Sequence, residues 1–189
     1  MKGSFPRFSR FLSVKTHDSL EAILECPEID AVYIPLGNAE HAHWVLKAIT
    51  AGKHVLCEKP LATRPDDIVA IHQAARQKGV KVMEGFMYRF HPQHDRVREL
   101  IASGLVGEVR SVRTSFSFMM KPARLYRIQS NIDEGGGAMW DIGCYAIHAA
   151  RMWMEGKPRS VSAMMHCAAS GADLSTSGII EYGEGRRVH

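Results

Sequence analysis

Three short apolar runs, separated by two stretches with helical patterning, constrain this chain more than any other feature. DAVYIPL (30–36), HVLCE (54–58) and KVMEGFM (81–87) are close to continuous in apolar residues, as strands covered on both faces are. Between the first two, HAHWVLKAITAGK (41–53) turns Trp44, Leu46 and Ile49 inward or nearly so and carries Gly52 at its C-terminal end. Between the second and third, RPDDIVAIHQAARQKGV (64–80) is opened by Pro65 and the Asp66/Asp67 pair and closed by Gly79. Strand–helix–strand–helix–strand at this spacing predicts parallel strands joined by right-handed crossovers. SLEAILECPEI (19–29) predicts a short helix ahead of them, capped by Asp18 or Ser19, with Leu20, Ile23 and Leu24 as its apolar stripe.

Beyond residues 89–92 the pattern changes. HPQHDRVRELIASGLVG (91–107) reads as a helix ending at Gly104, with His91 at its start and His94 on its surface. EVRSVRTSFSF (108–118) is rich in β-branched and aromatic residues, and AMWDIGCYAIHAARMWM (138–154) is an amphipathic helix. RSVSAMMHCAAS (159–170) and STSGIIEYG (175–183) are strands with a Gly/Asp turn between them. Strands now follow strands, so a parallel α/β half gives way to an α+β half with a mostly antiparallel sheet.

Charge and composition exclude several classes. There are 24 Lys and Arg against 20 Asp and Glu, spread without a basic run, which argues against a nucleic-acid partner. No apolar stretch is long enough to span a membrane. Cys26, Cys57, Cys144 and Cys167 are scattered and form no C-x-x-C pair, the usage of reduced thiols in a cytoplasmic protein. Residues 1–17 hold Lys2, Arg7, Arg10 and Lys15 and no acid, with Phe5, Phe8 and Leu12 on one helical face. That is the look of a transit peptide, but a chain start inside a domain explains it as well and is preferred here.

In an open parallel sheet, ligands bind beyond the carboxyl ends of the strands. Pro35-Leu36-Gly37-Asn38, Glu58-Lys59-Pro60 and Gly85-Phe86-Met87 should therefore share one rim. Lys59 becomes a cation facing a crevice, Glu58 can hold it, and Pro60 fixes the backbone, with a cis Lys59–Pro60 bond a further option. EGGGAM (134–139) offers glycines, but no strand precedes it in a βαβ unit, so it reads as a flexible turn rather than a phosphate loop. Asp141, Cys144 and His148 share a helix face, yet they lack the coordination set of a metal site, and no metal is expected.

AVYIPLGNAEHAHWVLKAITAGKHVLCEKPLA, MEGFMYRFHPQHDRVRELIASGLVGEV and GGGAMWDIGCYAIHAARMW together resemble the glucose–fructose oxidoreductase / inositol dehydrogenase / MocA family. The flavour is that of the NADP-dependent aldose (xylose-type) and dihydrodiol dehydrogenases. The resemblance implies an α/β fold: a partial Rossmann-like parallel sheet over residues 1–90, followed by an α+β domain with a mostly antiparallel open sheet over 91–189. It implies hydride transfer between NADP or NAD, with NADP favoured, and a sugar, polyol or dihydrodiol hydroxyl carbon. Lys59 matches the lysine of E-K-P, beside nicotinamide and substrate. Tyr145 stands in D-x-G-x-Y as proton donor or acceptor, and Lys59 would lower the phenol's pKa. Asp141, one turn before Tyr145, would bond a sugar hydroxyl or steer Tyr145. Pro35, Asn38, His41, Glu58 and Arg89 fall on the cofactor side. Arg89 and His148 fall toward the substrate, although many members carry an acid where His148 stands. Homo-oligomers through the open sheet are implied for the full-length form.

No G-x-G-x-x-G precedes AVYIPL, although a dinucleotide site needs one for its pyrophosphate. FLSVK (11–15) matches the family's third strand, so the chain reads as an internal fragment of a longer enzyme. Weak dinucleotide binding by these residues alone is the corresponding expectation. The alternative is a truncated, non-catalytic relative acting as an interaction or sugar-binding module.

Overall fold

A computed structural model describes residues 15–189, so Phe5, Phe8, Leu12 and most of FLSVK lie outside the described residues. Strands β1 (Ala31–Ile34), β2 (His54–Cys57) and β3 (Val82–Glu84) form a parallel sheet in the order β1-β2-β3. Helix α1 (Leu20–Glu25) is shorter than the 19–29 stretch; Ser19, not Asp18, caps it, accepting from the Ala22 amide at 3.0 Å. Helices α2 (His41–Thr50) and α3 (Pro65–Lys78) make the two crossovers. Gly79 ends α3 in the left-handed region at φ 68°, where a residue without Cβ is least strained.

The core of this half is Ile34, Val45, Ala48, Ile49, Val55, Cys57 and Ile71, with Trp44 and Leu46 packed at its margin. Alternation along β2 buries Val55 and Cys57 and turns Leu56 outward. On that outer face Tyr33, Leu56 and Met83 lie in register across the three strands and are exposed. The continuous apolar runs thus cover one face within the described residues, not two.

A 3₁₀ turn at Met87–Phe90 follows β3 and leads to α4 (Gln93–Ala102). His94 is buried there, against the rings of Tyr88 and Trp153, instead of lying on the surface. The second sheet has the order β4-β7-β6-β5, with β4 (Ser111–Val112), β5 (Ser160–Cys167), β6 (Asp173–Gly183) and β7 (Arg186–Val188). The β5–β6 and β6–β7 pairs are antiparallel and β4–β7 is parallel. Of the 108–118 stretch only two residues pair as strand; Thr114 adds one further bond to the carbonyl of His189 at 2.9 Å.

The 138–154 helix is composite. A π-helical turn, Met139–Gly143, runs into α6 (Cys144–Trp153). Asp173, fully buried on β6, accepts from the Met139 amide at 3.1 and 2.9 Å and from Thr176 Oγ1 at 2.7 Å. Its carboxylate thereby caps the start of the helix. The glycines before that start are not flexible. Gly135, Gly136 and Gly137 are all buried. A Cβ would meet Asn38 Cβ at 2.5 Å from Gly135, Ser130 O at 2.1 Å from Gly136, and Asp173 Oδ1 at 2.2 Å from Gly137. Glycine stands there because three pieces of chain approach closely.

Candidate active site

The site begins where β2 ends. The segment Glu58–Ala62 leaves the sheet through a cis Lys59–Pro60 bond and is stapled from three sides. His41, at the start of α2 and 1 % exposed, bridges the Pro60 carbonyl at 2.7 Å and the Leu36 carbonyl at 3.0 Å. Glu84, at the end of β3, accepts from the Leu61 amide at 2.7 Å. Burial pushes the Glu84 carboxyl above its ordinary value, against the pull of the Leu61 amide, His41 and Lys59. The third staple is Lys59 itself.

Lys59 Nζ reaches across to the second half. It donates to Asp141 Oδ1 at 3.3 Å and to the Asp141 carbonyl, and lies 5.1 Å from the centroid of the Tyr145 ring. The Lys59 and Asp141 side chains are 10 % and 7 % exposed. Asp141 sits in the π-helical turn and Tyr145 in the first turn of α6. Lys59, Asp141 and Tyr145 are therefore brought together, and the rim expected from the strand ends exists.

Two expectations about this cluster are corrected. Glu58 does not hold Lys59; its Oε1 accepts from the Tyr33 hydroxyl at 2.7 Å on the exposed side of the sheet. Nor is the Tyr145 phenol pulled down by Lys59. Burial first, then the Cys144, Glu58, Asp141 and Tyr88 groups, push it above its ordinary value. The cause is geometric: Asp141 engages the Lys59 ammonium, while the Tyr145 hydroxyl faces Met87 Sδ at 3.5 Å.

The remaining residues sort by position. Pro35 is exposed on the rim. Asn38 donates from Nδ2 to the Gly135 carbonyl at 2.8 Å, which ties the rim to the glycine loop. His41 is buried and shapes the Glu58–Ala62 loop through its bonds to the Pro60 and Leu36 carbonyls. Arg89 is exposed beside the aromatic cluster. His148 meets the Tyr88 hydroxyl through Nδ1 and stacks on Phe86 at 4.3 Å. Burial, followed by Arg89, Arg151 and His94, lowers its pKa. Cys144 Sγ donates to the Trp140 carbonyl, so Asp141, Cys144 and His148 turn to three different partners.

One residue at this site has no sequence signal. Arg127, in the short helix α5 (Tyr126–Gln129), donates through Nη1 to the same Asp141 Oδ1 that Lys59 contacts. It lies in an irregular stretch, and only its charge, 14 positions ahead of Asp141, sets it apart.

Behind Asp141 a cavity of about 610 Å³ opens between the helix and the second sheet. Its walls include Phe116, Phe118, Ile142, Ala146 and Leu174. Phe116 also packs on the Tyr145 ring at 5.6 Å.

A crossover-connected parallel sheet with a lysine on its rim, facing a carboxylate and a phenol beside a second sheet, defines a class: an α/β protein of the nucleotide-binding type. Residues 2–86 match the oxidoreductase family with an NAD-binding Rossmann fold, and residues 94–189 match the GFO/IDH/MocA C-terminal domain. The chain belongs to the GFO/IDH/MocA oxidoreductase family. It is 43 % identical over 169 residues to D-xylose 1-dehydrogenase (NADP(+)) 2 of Haloferax volcanii, covering 89 % of this chain and 51 % of that protein. It is 34 % identical over 177 residues to trans-1,2-dihydrobenzene-1,2-diol dehydrogenase of Xenopus laevis, covering 92 % and 52 %. Among solved structures it superposes on KijD10, a 3-ketoreductase from Actinomadura kijaniata in complex with NADP and TDP-benzene. The TM-score is 0.78 at 35 % identity, over 93 % of this chain and 53 % of that one. The chain spans about half the length of the curated relatives it matches.

Proposed function

We propose that these residues form the nicotinamide-side and substrate-side walls of an NADP- or NAD-dependent dehydrogenase acting at a sugar, polyol or dihydrodiol hydroxyl carbon. The observation that carries this is the meeting of Lys59 with Asp141 and the Tyr145 ring across the two halves. The relatives named D-xylose dehydrogenase, dihydrodiol dehydrogenase and 3-ketoreductase support the substrate range and favour NADP.

The rim fits the nicotinamide end of such a cofactor. It is open at Pro35 and Gly37, bounded by Asn38, and has a cation at Lys59. A nicotinamide held there by this rim would supply the hydride chemistry. The protein supplies the proton and the alignment. The Tyr145 phenol, protonated at neutral pH, is the donor: it gives its proton to the oxygen that gains charge as a carbonyl is reduced. In the reverse direction it takes the proton from the substrate hydroxyl. Asp141 presents a buried acceptor to a neighbouring hydroxyl, and Lys59 stabilises charge on the reacting oxygen. Arg89 and His148, beside this cluster, bear on the outer part of the substrate.

The two-part division near residue 90 belongs to the same proposal, with residues 1–90 on the cofactor side and 91–189 on the substrate side. So does self-association. Strand β5 is an edge with every residue exposed, Met164 at 79 %, and a second copy would cover that face. The four unpaired cysteines support a cytoplasmic setting, and no described helix is long and apolar enough to cross a membrane.

The test is spectrophotometric, at the reduced-nicotinamide band, with aldoses, ketosugars and trans-diols, on these residues completed with the Gly-rich dinucleotide-binding segment of a full-length relative. Turnover that Lys59→Met and Tyr145→Phe each remove is expected. Turnover that survives Tyr145→Phe nearly intact would overturn the assignment of the phenol.

A further inference from the structure

Asp141 is held by two cations, and the reaction calls on only one of them. Lys59 and Arg127 converge on the same oxygen, Oδ1. The carboxylate is buried, at 7 % exposure, whereas the Arg127 side chain is 37 % exposed and approaches from the solvent side. A buried carboxylate deprived of its sole partner is strongly destabilised, so with Lys59 alone the ammonium would be fixed in place. A second cation relieves the charge part of that constraint and leaves Lys59 only its bond to the Asp141 carbonyl to break.

Arg127 is built in as that second cation. Its main-chain carbonyl accepts from the Gly137 amide at 2.8 Å, and the Gly137 carbonyl accepts from the Asp141 amide at 3.0 Å. The backbones of Arg127 and Asp141 are thus linked through one buried glycine. Arg127 Nε donates to the Tyr126 hydroxyl at 3.3 Å, which orients the guanidinium. A planar, permanently charged fork suits this duty better than a flexible ammonium does.

We propose that Arg127 is a positioning residue: it is the standing counter-ion of Asp141 and frees Lys59 to swing from Asp141 to the Tyr145 hydroxyl when cofactor and substrate are bound. The proposal rests on Lys59 and Tyr145 being the working pair of the enzyme. Lys59 Nζ already lies 5.1 Å from the Tyr145 ring centroid, so the movement is a side-chain rotation. Its effect is to bring the positive charge from the ring to the phenolic oxygen in the loaded site, which lowers the barrier to moving the phenolic proton.

The test reads Lys59 directly and needs no turnover. The chain is reductively methylated with formaldehyde and cyanoborohydride, and the rate at Lys59 is followed by peptide mass spectrometry. Lys78, exposed at the C-terminal end of α3, is the internal control. In Arg127→Met, Lys59 becomes the only partner of Asp141, and its labelling should slow by about fivefold, equivalent to about 1 kcal/mol. In Asp141→Asn labelling should quicken, and adding Arg127→Met should then change nothing. Arg127→Lys should restore most of the parent rate. Arg127→Gln replaces Arg127→Met should circular dichroism show the latter unfolded. Unchanged or faster Lys59 labelling in the arginine variants would overturn the proposal, as would a slowing that persists in the Asp141→Asn background. The catalytic reading fails separately, through turnover that Tyr145→Phe does not remove.

Discussion

Gly135→Ala should separate the two halves of the site while leaving both cores untouched. Gly135 is buried with φ +79°, and its carbonyl accepts from Asn38 Nδ2 at 2.8 Å. A methyl group there would stand 2.5 Å from Asn38 Cβ and 2.9 Å from Thr63 Cγ2. Two costs follow. An L-residue in the left-handed region costs about 1–2 kcal/mol. Forcing a methyl into a packed contact costs about 1–3 kcal/mol. The sum centres on about 3.5 kcal/mol, and for a chain of this size that is a fall in Tm of about 7–14 °C. Gly79→Ala is the control. Its φ is +68°, but no described residue lies within 4 Å of the added carbon, so it carries only the backbone cost, a fall of about 2–8 °C. Thermal unfolding followed by circular dichroism measures both. If Gly135→Ala is no more harmful than Gly79→Ala, then the glycine run is not a packed junction and the argument for close approach is wrong.

Lys59→Met and Tyr145→Phe should each lower kcat by about 10²–10⁴-fold with little change in cofactor affinity, read by steady-state rates and by titration. His41→Ala removes a buried bridge between the Leu36 and Pro60 carbonyls and should cost about 2–4 kcal/mol in denaturant unfolding. Glu84 has a folded pKa raised above its ordinary 4.5. Its stabilising contribution is therefore complete below that value and is lost as pH rises through the folded value. Glu84→Gln keeps an acceptor for the Leu61 amide without the charge. The difference in Tm between variant and parent should shift in favour of the variant as pH is raised from 4.5 to 7, and a pH-independent difference would contradict the burial argument.

The parallel half was legible because burial writes itself into sequence: Val55 and Cys57 sit in an apolar run, and Pro65 and Gly79 mark the ends of α3. The convergence of Lys59 on Asp141 and Tyr145 was legible only through motifs at strand and helix ends. Other features left no pattern. β7 contains Arg186, Arg187 and Val188, too short and too polar to show alternation. The π-helical turn at Met139–Gly143 shifts Asp141 relative to Tyr145 by a backbone change that no periodicity reports. Glycines 135–137 look the same in sequence whether they serve freedom or close approach, and here they serve approach. Glu58 was misassigned because adjacency to Lys59 in sequence says nothing of its distance to Tyr33 across the strands. Arg127 was missed because its partner, Asp141, is set by tertiary packing alone.

The most direct test is the titration of Tyr145 followed by NMR of its ¹³Cζ in the parent chain, Lys59→Met and Asp141→Asn. A phenol that shares its site with both groups should titrate above 10.0 in the parent. It should move little without the Lys59 cation, whose charge Asp141 already engages, and fall when Asp141 gives up its own charge and releases Lys59. A Tyr145 titration that Asp141→Asn does not move would mean that the carboxylate and the phenol do not share a site.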